Sequence, residues 1–233
     1  LLNLQVRGRD AAGIAWETEG RVKLLKAPGS ADGFVRRIEF QQAIPEVLDS
    51  PYVLLHTRHA THGSPNDNKN NHPIMNEIGL IVHNGVAYPE TELPAIGETD
   101  SEQIMLYIQK YGWTGISKIL GTMAIAYISF KRFGFYLYAS GMPLVWGYDA
   151  IRQIMFFCST SEILRPSLDI PTHFGLLPGM AVGSVPAKTV FHINREGVEE
   201  ITHVETKSFF QNTKLYSPGN YVSPRHQNQF SGY

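Results

Sequence analysis

The chain has 233 residues, 43% of them hydrophobic, and a formal net charge of −1. This length suits one domain with a hydrophobic core and at most an appendage. The near-zero charge gives no indication of a nucleic-acid or membrane-surface partner, and no apolar run approaches the ~20 residues of a membrane helix. The single cysteine excludes an internal disulfide and favours a reducing, cytoplasmic location.

Hydrophobic patterning predicts strands and helices that come in blocks. Strands are predicted at 14–16, 22–25, 52–56, 78–83, 123–130, 134–139, 144–148, 154–158, 180–185, 189–193 and 198–201. Helices are predicted at 32–48, at 99–111 with Thr99 and Glu102 as a capping box, at 116–120 and as a turn at 161–164. Because these blocks do not alternate as strand and helix, we expect an α+β fold of packed antiparallel sheets flanked by helices.

The two ends of the chain differ from its middle. Leu1 to Gln5 has the pattern of the last turns of a helix that Gly8 ends, so we expect that a segment of the domain precedes Leu1. From Lys207 to Tyr233 the composition is polar with scattered aromatic residues and no sustained period. We therefore predict a domain at 1–206 and an extended tail at 207–233. The tail is either solvated or an arm whose aromatic side chains fill pockets of a partner.

A polar cluster, His56 to Gly63, follows the apolar strand that ends at Leu55. Arg58 lies within it, and an arginine can bind a carboxylate through two parallel hydrogen bonds. A small substrate with a carboxylate is one interpretation, and a polar turn that caps the strand is the other. His56, His59 and His62 are spaced three apart, but a strand followed by a loop does not place them on one face, so no metal site is expected.

Three further segments in this order, together with the cluster, resemble the glutaminase domain of the class II glutamine amidotransferases, the family with an N-terminal nucleophile. They are Arg7 to Ala15, Val82 to Val86 and Glu98 to Glu102. The match extends to Asn71 to Pro73, Ala139 to Val145, Cys158 to Glu162 and Leu177 to Met180. The sequence is most similar to the domain of the aminosugar synthases, and Arg7 to Gly13 is also similar to the phosphoribosylpyrophosphate amidotransferases. The resemblance implies a four-layer α-β-β-α sandwich of two antiparallel sheets whose N-terminal strand is missing from the chain.

The resemblance also implies residue roles in releasing ammonia from glutamine. The Asn84 amide and the Gly85 N–H would form an oxyanion hole. Arg58, with the Thr61–His62 loop, would bind the α-carboxylate, Asp100 would accept from the α-ammonium, and Arg7 and Asp10 would support the site. No cofactor is implied.

Taken singly, these residues have structural explanations. Asp100 could be a helix-start carboxylate favoured by the helix dipole. Asn84-Gly85 could be a type I′ hairpin turn. Arg7 and Asp10 could be a structural ion pair. Arg58 is the hardest to explain this way, because a cation between two apolar strands needs a partner.

The sequence departs from the family at the nucleophile. The family uses an N-terminal cysteine on the strand before the helix that ends near Gln5, and that strand is not in this chain. Cys158 lies in the apolar run after Ile154 and is interpreted as a buried structural thiol. His59 stands where the aminosugar synthases commonly carry an aromatic residue.

Two hypotheses follow. The first is a glutamine amidotransferase or glutaminase domain that hydrolyses glutamine when the upstream cysteine is present and is inactive as the 233-residue chain alone. The second is a catalytically silent relative that serves as a binding or structural component of a larger assembly. Both allow an oligomer, or a synthase partner contacted through the tail.

Overall fold

The computed structural model describes residues 1–132, 134–168, 179–194 and 197–206. The strands are β1 (Ala11–Thr18), β2 (Arg21–Pro28), β3 (Val53–Arg58), β4 (Ile74–Asn76), β5 (Gly79–Pro89), β6 (Ile119–Ser129), β7 (Phe135–Ser140), β8 (Val145–Asp149), β9 (Ile154–Cys158), β10 (Met180–Ser184), β11 (Thr189–Asn194) and β12 (Gly197–His203). The helices are α1 (Ala31–Val35), α2 (Ile38–Asp49), α3 (Asp100–Tyr111) and α4 (Ser161–Ser167), with 3-10 turns at Leu2–Val6, Asn68–Asn70 and Trp113–Lys118.

The described strands pair in antiparallel fashion into three sheets. One sheet has six strands in the order β12-β11-β7-β6-β5-β4. The other two have three strands each, in the orders β2-β1-β3 and β10-β8-β9. Hydrogen bonding therefore divides one strand layer into two separate sheets.

The buried side chains form three clusters that separate four layers. The alternation of β6 shows this directly, since Ile125 and Tyr127 belong to one cluster and Ala126 and Ile128 to another. The first cluster lies between the six-stranded sheet and α3, and the second between that sheet and both three-stranded sheets. The third packs β1 and β2 against α1 and α2. The four-layer α-β-β-α sandwich is confirmed.

Most of the predicted elements are present, but several differ in detail. The strand β4 was not predicted, and β5 continues to Pro89 instead of ending at 83. The helix predicted at 32–48 is two helices, because the chain leaves the helical conformation at Arg37 between them. The helix predicted at 116–120 is instead a 3-10 turn that ends at Lys118, and Ile119 already begins β6. The tail at 207–233 and the first two residues of the segment Leu177 to Met180 lie outside the described residues. No helix in the described ranges is long and apolar enough to cross a membrane.

Candidate functional site

A cavity of about 1610 Å³, here called the central cavity, lies between the two three-stranded sheets. Every residue from Tyr52 to His59 and from Gln153 to Ser159 lines it. Successive strand residues point to opposite faces, so a continuous lining run means that the cavity borders the edges of β3 and β9. Among the described strands, β3 pairs only with β1 and β9 only with β8. We call the space between these two edges the slot.

The central cavity brings together seven of the eight predicted site residues. They are Arg7, Arg58, Thr61, His62, Asn84, Gly85 and Asp100. Asp10 does not line it. Its Oδ2 accepts a hydrogen bond of 2.7 Å from the Ala60 N–H and lies 3.4 Å from His59 Nδ1, so Asp10 supports the loop after β3 from behind. Within the described part of the chain, Arg7 and Asp10 do not form the ion pair considered from the sequence.

Arg58 ends β3 with its guanidinium inside the protein, where the residue is 5% exposed. Its Nη1 donates to Asn71 Oδ1 at 2.9 Å, and its Nη2 donates to the carbonyls of His62 and Gly63. No carboxylate of the described residues lies within ion-pair distance of it. Burial lowers the pKa of Arg58, while the charges of Asp10 and Asp100 oppose that shift. Arg58 is therefore a buried cation that orders its own loop.

The contact with Arg7 determines which end of the Asn84 side-chain amide is the oxygen. Arg7 Nη2 lies 3.2 Å from Asn84 Oδ1, and because a guanidinium only donates, the atom that faces it must be the oxygen. The amide nitrogen of Asn84 then points elsewhere, and it is buried without a partner among the described residues. An unsatisfied buried donor costs about 1–3 kcal/mol. This cost calls for an acceptor that the described residues do not supply.

Asn84 and Gly85 lie within β5, where they pair with Ala124 and Met123 of β6. The hairpin turn considered for this dipeptide is therefore wrong. A side chain at Gly85 would place its Cβ 2.0 Å from the Thr122 carbonyl oxygen, and the backbone has φ of +137°. Both observations require glycine at this position for strand pairing as well as for any role in the cavity.

Asp100 is the first residue of α3 and is only partly free. Its Oδ2 accepts from the Ala87 N–H of β5 at 2.9 Å, and its Oδ1 lies 3.9 Å from His83 Nδ1. Thr99 caps the helix by accepting from the Glu102 N–H at 3.3 Å. The reciprocal half of the predicted capping box is wrong, because the Glu102 carboxylate accepts instead from the N–H groups of the segment before the helix.

Thr61 and His62 form the outer rim of the cavity. Thr61 is exposed and its hydroxyl lies 3.3 Å from His62 Nδ1. The His62 ring packs edge-on against Tyr88 with ring centroids 6.0 Å apart. The two residues are placed to cover the opening rather than the floor.

Three histidines, His56, His72 and His83, lie under the site and line the cavity. The rings of His56 and His72 have centroids 4.3 Å apart. Burial is the main cause that lowers the pKa of all three, to about 4 for His56. They are therefore neutral near pH 7. In the described part of the chain, no three His, Cys, Asp or Glu side chains come together in a way that could hold a metal ion.

Cys158 ends β9 and pairs with Val145, on the strand that its apolar run predicted. It is half-buried rather than fully buried, and it lines the central cavity. Burial raises the pKa of its thiol, against smaller opposing effects from neighbouring N–H groups and from Arg7. A raised thiol pKa makes Cys158 a poor nucleophile near neutral pH.

Two residues that support the site were not identified from the sequence as parts of it. Asn71 accepts from Arg58, and the Lys26 ammonium donates to the carbonyls of Asn71 and Pro73 at 2.8 and 3.1 Å. Asn71 lies in a segment that the resemblance included, which could have indicated it. Lys26 lies in an ordinary hairpin strand, and no sequence signal pointed to it.

Comparison with known proteins supports the resemblance read from the motifs. No protein-family model matches the sequence. The glutamine–fructose-6-phosphate aminotransferase (isomerizing) of Helicobacter pylori is 29% identical over 95% of this chain and 38% of its own length. The enzyme of the same name from Gluconobacter oxydans is 34% identical over 71% of this chain and 29% of its own length. The chain thus spans well under half the length of these curated relatives.

Among solved structures, the glutamine phosphoribosylpyrophosphate (PRPP) amidotransferase from B. subtilis, complexed with ADP and GMP, superposes with a TM-score of 0.62. The two sequences are 18% identical, and the superposition covers 85% of this chain and 44% of the amidotransferase chain. At this identity the likeness establishes the fold alone. The chain is therefore a homologue of the glutamine–fructose-6-phosphate aminotransferases, the glucosamine-6-phosphate synthases, and it has the fold of the class II glutamine amidotransferases.

Proposed function

We propose that this relative of the glutamine–fructose-6-phosphate aminotransferases is a glutamine amidotransferase domain. It hydrolyses glutamine to glutamate and ammonia by acyl transfer to a cysteine upstream of Leu1. The observation that carries the proposal is the Asn84 amide nitrogen, which is buried without a partner among the described residues. Acyl transfer needs a fixed donor of this kind for the oxyanion that develops on the carbonyl.

The oxyanion hole would combine the Asn84 amide with the Gly85 backbone N–H. Arg7 fixes Asn84 Oδ1 at 3.2 Å, so the donor end is held before substrate arrives. Removing one donor of an oxyanion hole costs about 10²–10³ in kcat in a protease example. Asn84 is therefore the described residue on which the chemical step depends most.

The charges in the central cavity suit a free amino acid. Arg58 is a buried cation with no carboxylate of the described residues at ion-pair distance. Asp100 lines the same cavity, and its one ion-pair contact among the described residues is to His83, which lies 3.9 Å away and is neutral near pH 7. A zwitterion would complement both groups, with its carboxylate near Arg58 and its ammonium near Asp100. Thr61 and His62 would cover the bound substrate.

The slot supports a nucleophile on an added strand. Two strand edges without partners among the described residues border one cavity, and unpaired backbone groups are costly when they are buried. A strand inserted between β3 and β9 would pair with both edges and join the two three-stranded sheets. Leu1 and Arg7 line the same cavity, so a cysteine on such a strand would lie near Arg7 and Asn84.

The relatives' names give glutamine as the amino donor and fructose 6-phosphate as the acceptor. Since this chain spans 38% of the Helicobacter relative, we propose that its ammonia goes to a synthase partner or a further region, in the cytoplasm.

The test is ammonia release from glutamine by three proteins: the 233-residue chain, a form extended by its native upstream residues, and that extended form with Asn84→Ala. We expect activity only in the extended form, with kcat lowered about 10²-fold or more by Asn84→Ala. A Cys158→Ser variant of the extended form is the control and should retain activity.

Two results would contradict the proposal. Activity in the 233-residue chain that Cys158→Ser abolishes would make Cys158 the nucleophile. Inactivity of every form, with no binding of glutamine, would favour the silent relative that acts as a component of an assembly.

A further inference from the structure

The loop between Thr61 and Pro73 wraps around the Arg58 guanidinium, so the orientation of Arg58 depends on the loop. Arg58 donates to the carbonyls of His62 and Gly63 at one end of the loop and to the Asn71 side chain at the other. The loop also closes on itself, since Asn71 Nδ2 donates to the Pro65 carbonyl at 2.7 Å. A shift of Asn71 would therefore move Arg58.

The end of this loop, at His72 and Pro73, packs against three residues that lie side by side on the neighbouring strands β2, β1 and β3. These residues are Lys26, Gly13 and His56. A Cβ at Gly13 would lie 2.1 Å from the His72 carbonyl oxygen, so the missing side chain lets the loop rest on the sheet. The His56 ring contacts the His72 ring on one side of Gly13. On the other side, Lys26 Nζ donates to the carbonyls of Asn71 and Pro73.

Lys26 is half-buried, and charges from several elements face it. Asp67 of the loop and Glu102 of α3 favour its charged form, whereas burial and the nearby Arg58 disfavour it. Burial is the largest of these effects and lowers the pKa of Lys26 to about 8. His72 is the further titratable group near the ammonium. At pH 7 the side chain is still mostly charged, and hydrogen bonds from a charged donor are roughly twice as strong as neutral ones.

We propose that Lys26 is a positioning residue for glutamine, because its ammonium holds the Asn71–Pro73 segment that orients Arg58. Lys26 itself lies on the far side of this segment and does not line the central cavity. Its role is therefore indirect. The inference rests on the proposed function, since it assumes that Arg58 binds the carboxylate of the substrate.

The experiment measures the dissociation constant of L-glutamine by calorimetry at pH 7 and pH 9 for the full chain and its variants. Lys26→Met should weaken binding about tenfold at pH 7, as expected for the loss of a charged hydrogen-bond donor. At pH 9 the difference between Lys26→Met and the parent should shrink to about twofold, because the parent has then lost the same charge. The α-ammonium of glutamine titrates equally in both measurements and cancels in the ratio.

Three variants serve as controls. Lys23→Met removes an exposed lysine of the same strand, whose ammonium pairs with Glu46 at 2.8 Å, and should bind as the parent does. Arg58→Ala should abolish binding. Lys26→Arg keeps a charge at pH 9, so its affinity relative to the parent should rise between pH 7 and pH 9.

The outcomes separate this inference from the proposed function. If the parent does not bind glutamine, the proposed function and this inference both fail. If the parent binds and a folded Lys26→Met binds equally well at pH 7, the inference alone is wrong. A loss of affinity that is the same at both pH values would indicate a structural role without the charge. If Lys26→Met does not fold, the test is the affinity of Lys26→Arg relative to the parent. A ratio that does not rise between pH 7 and pH 9 would then contradict the inference.

Discussion

At the scale of single residues, the neutral histidines beneath the site carry an energetic cost, because some of their buried ring nitrogens have no hydrogen-bond partner among the described residues. Both ring nitrogens of His72 and Nδ1 of His56 are buried without partners among the described residues. Arg58 lies close enough to disfavour a positive charge on either ring. A second charge here would have no counter-ion, so the site is compatible with these imidazoles only in the neutral form.

This environment predicts that stability falls in mild acid. The pKa of His56 is lowered from 6.5 to about 4 in the folded protein. Above pH 6.5 the ring is neutral in both the folded and unfolded states, so protonation of His56 does not reduce the free energy of unfolding there. Between pH 6.5 and 4 the unfolded chain binds a proton that the folded protein does not. His56 alone should therefore lower the free energy of unfolding by about 3 kcal/mol over that range.

The measurement is denaturant unfolding at pH 7 and pH 4.5 for the parent and for His56→Gln. The decrease between the two pH values should be smaller in the variant. His203→Gln removes an exposed histidine and should follow the parent. Identical pH dependence in all three proteins would mean that His56 is already accessible to protons in the folded state.

At the scale of elements, the pairing of β5 with β6 positions the proposed oxyanion donors. The two strands pair along their whole length, from Gly79 with Ser129 to Pro89 with Ile119. At Gly85 and Gly121 the strands approach so closely that an added Cβ would lie 2.0 Å from a carbonyl oxygen of the other strand. These glycines set the local geometry on which Asn84 depends.

Gly85→Ala should lower the free energy of unfolding by about 3 kcal/mol or more, because a strained φ and a backbone clash act together. The measurement is chemical denaturation. Gly20→Ala is the matched comparison, because its φ of +74° is also positive but nothing lies within 4 Å of the added Cβ. It should cost about 1 kcal/mol. Equal costs for the two variants would show that β6 yields to the side chain.

At the scale of the whole molecule, the main feature is the strand layer that is divided into two three-stranded sheets. The six-stranded sheet is continuous, whereas the layer that covers it consists of two sheets with the slot between them. Apolar residues form much of the slot, including Phe135, Leu144, Phe157 and Ile193. An unfilled space of this kind loses packing contacts on every side.

The proposed upstream strand should therefore raise stability as well as activity. Burying two large apolar side chains contributes about 3–6 kcal/mol, and each kcal/mol raises the melting temperature of a domain of this size by about 2–4 °C. We expect the extended form to melt about 6 °C or more above the 233-residue chain, measured by calorimetry. A scrambled upstream segment of the same composition is the control. Equal melting temperatures for all three proteins would refute a strand in the slot.

The sequence by itself determined the elements and the family resemblance. Alternating apolar residues are a local signal, so β7 was predictable to within one residue at each end. The end of β6 was predicted equally well, but the strand begins at Ile119 rather than at Met123. Thr99 was predictable as a helix cap for the same reason. The order of short polar motifs indicated that Arg58, Asn84 and Asp100 share a site, and the central cavity includes all three.

Only the tertiary structure decided which atoms of those residues remain available. Arg7 is 77 positions from Asn84, yet it binds the oxygen of that amide, and the nitrogen is left without a partner among the described residues. Lys26 is 45 positions from Asn71 and holds the loop that Arg58 orders. Local patterns do not encode such contacts, because they arise when separate elements pack together. The slot between β3 and β9 was likewise unpredictable, since it depends on how two sheets cover a third.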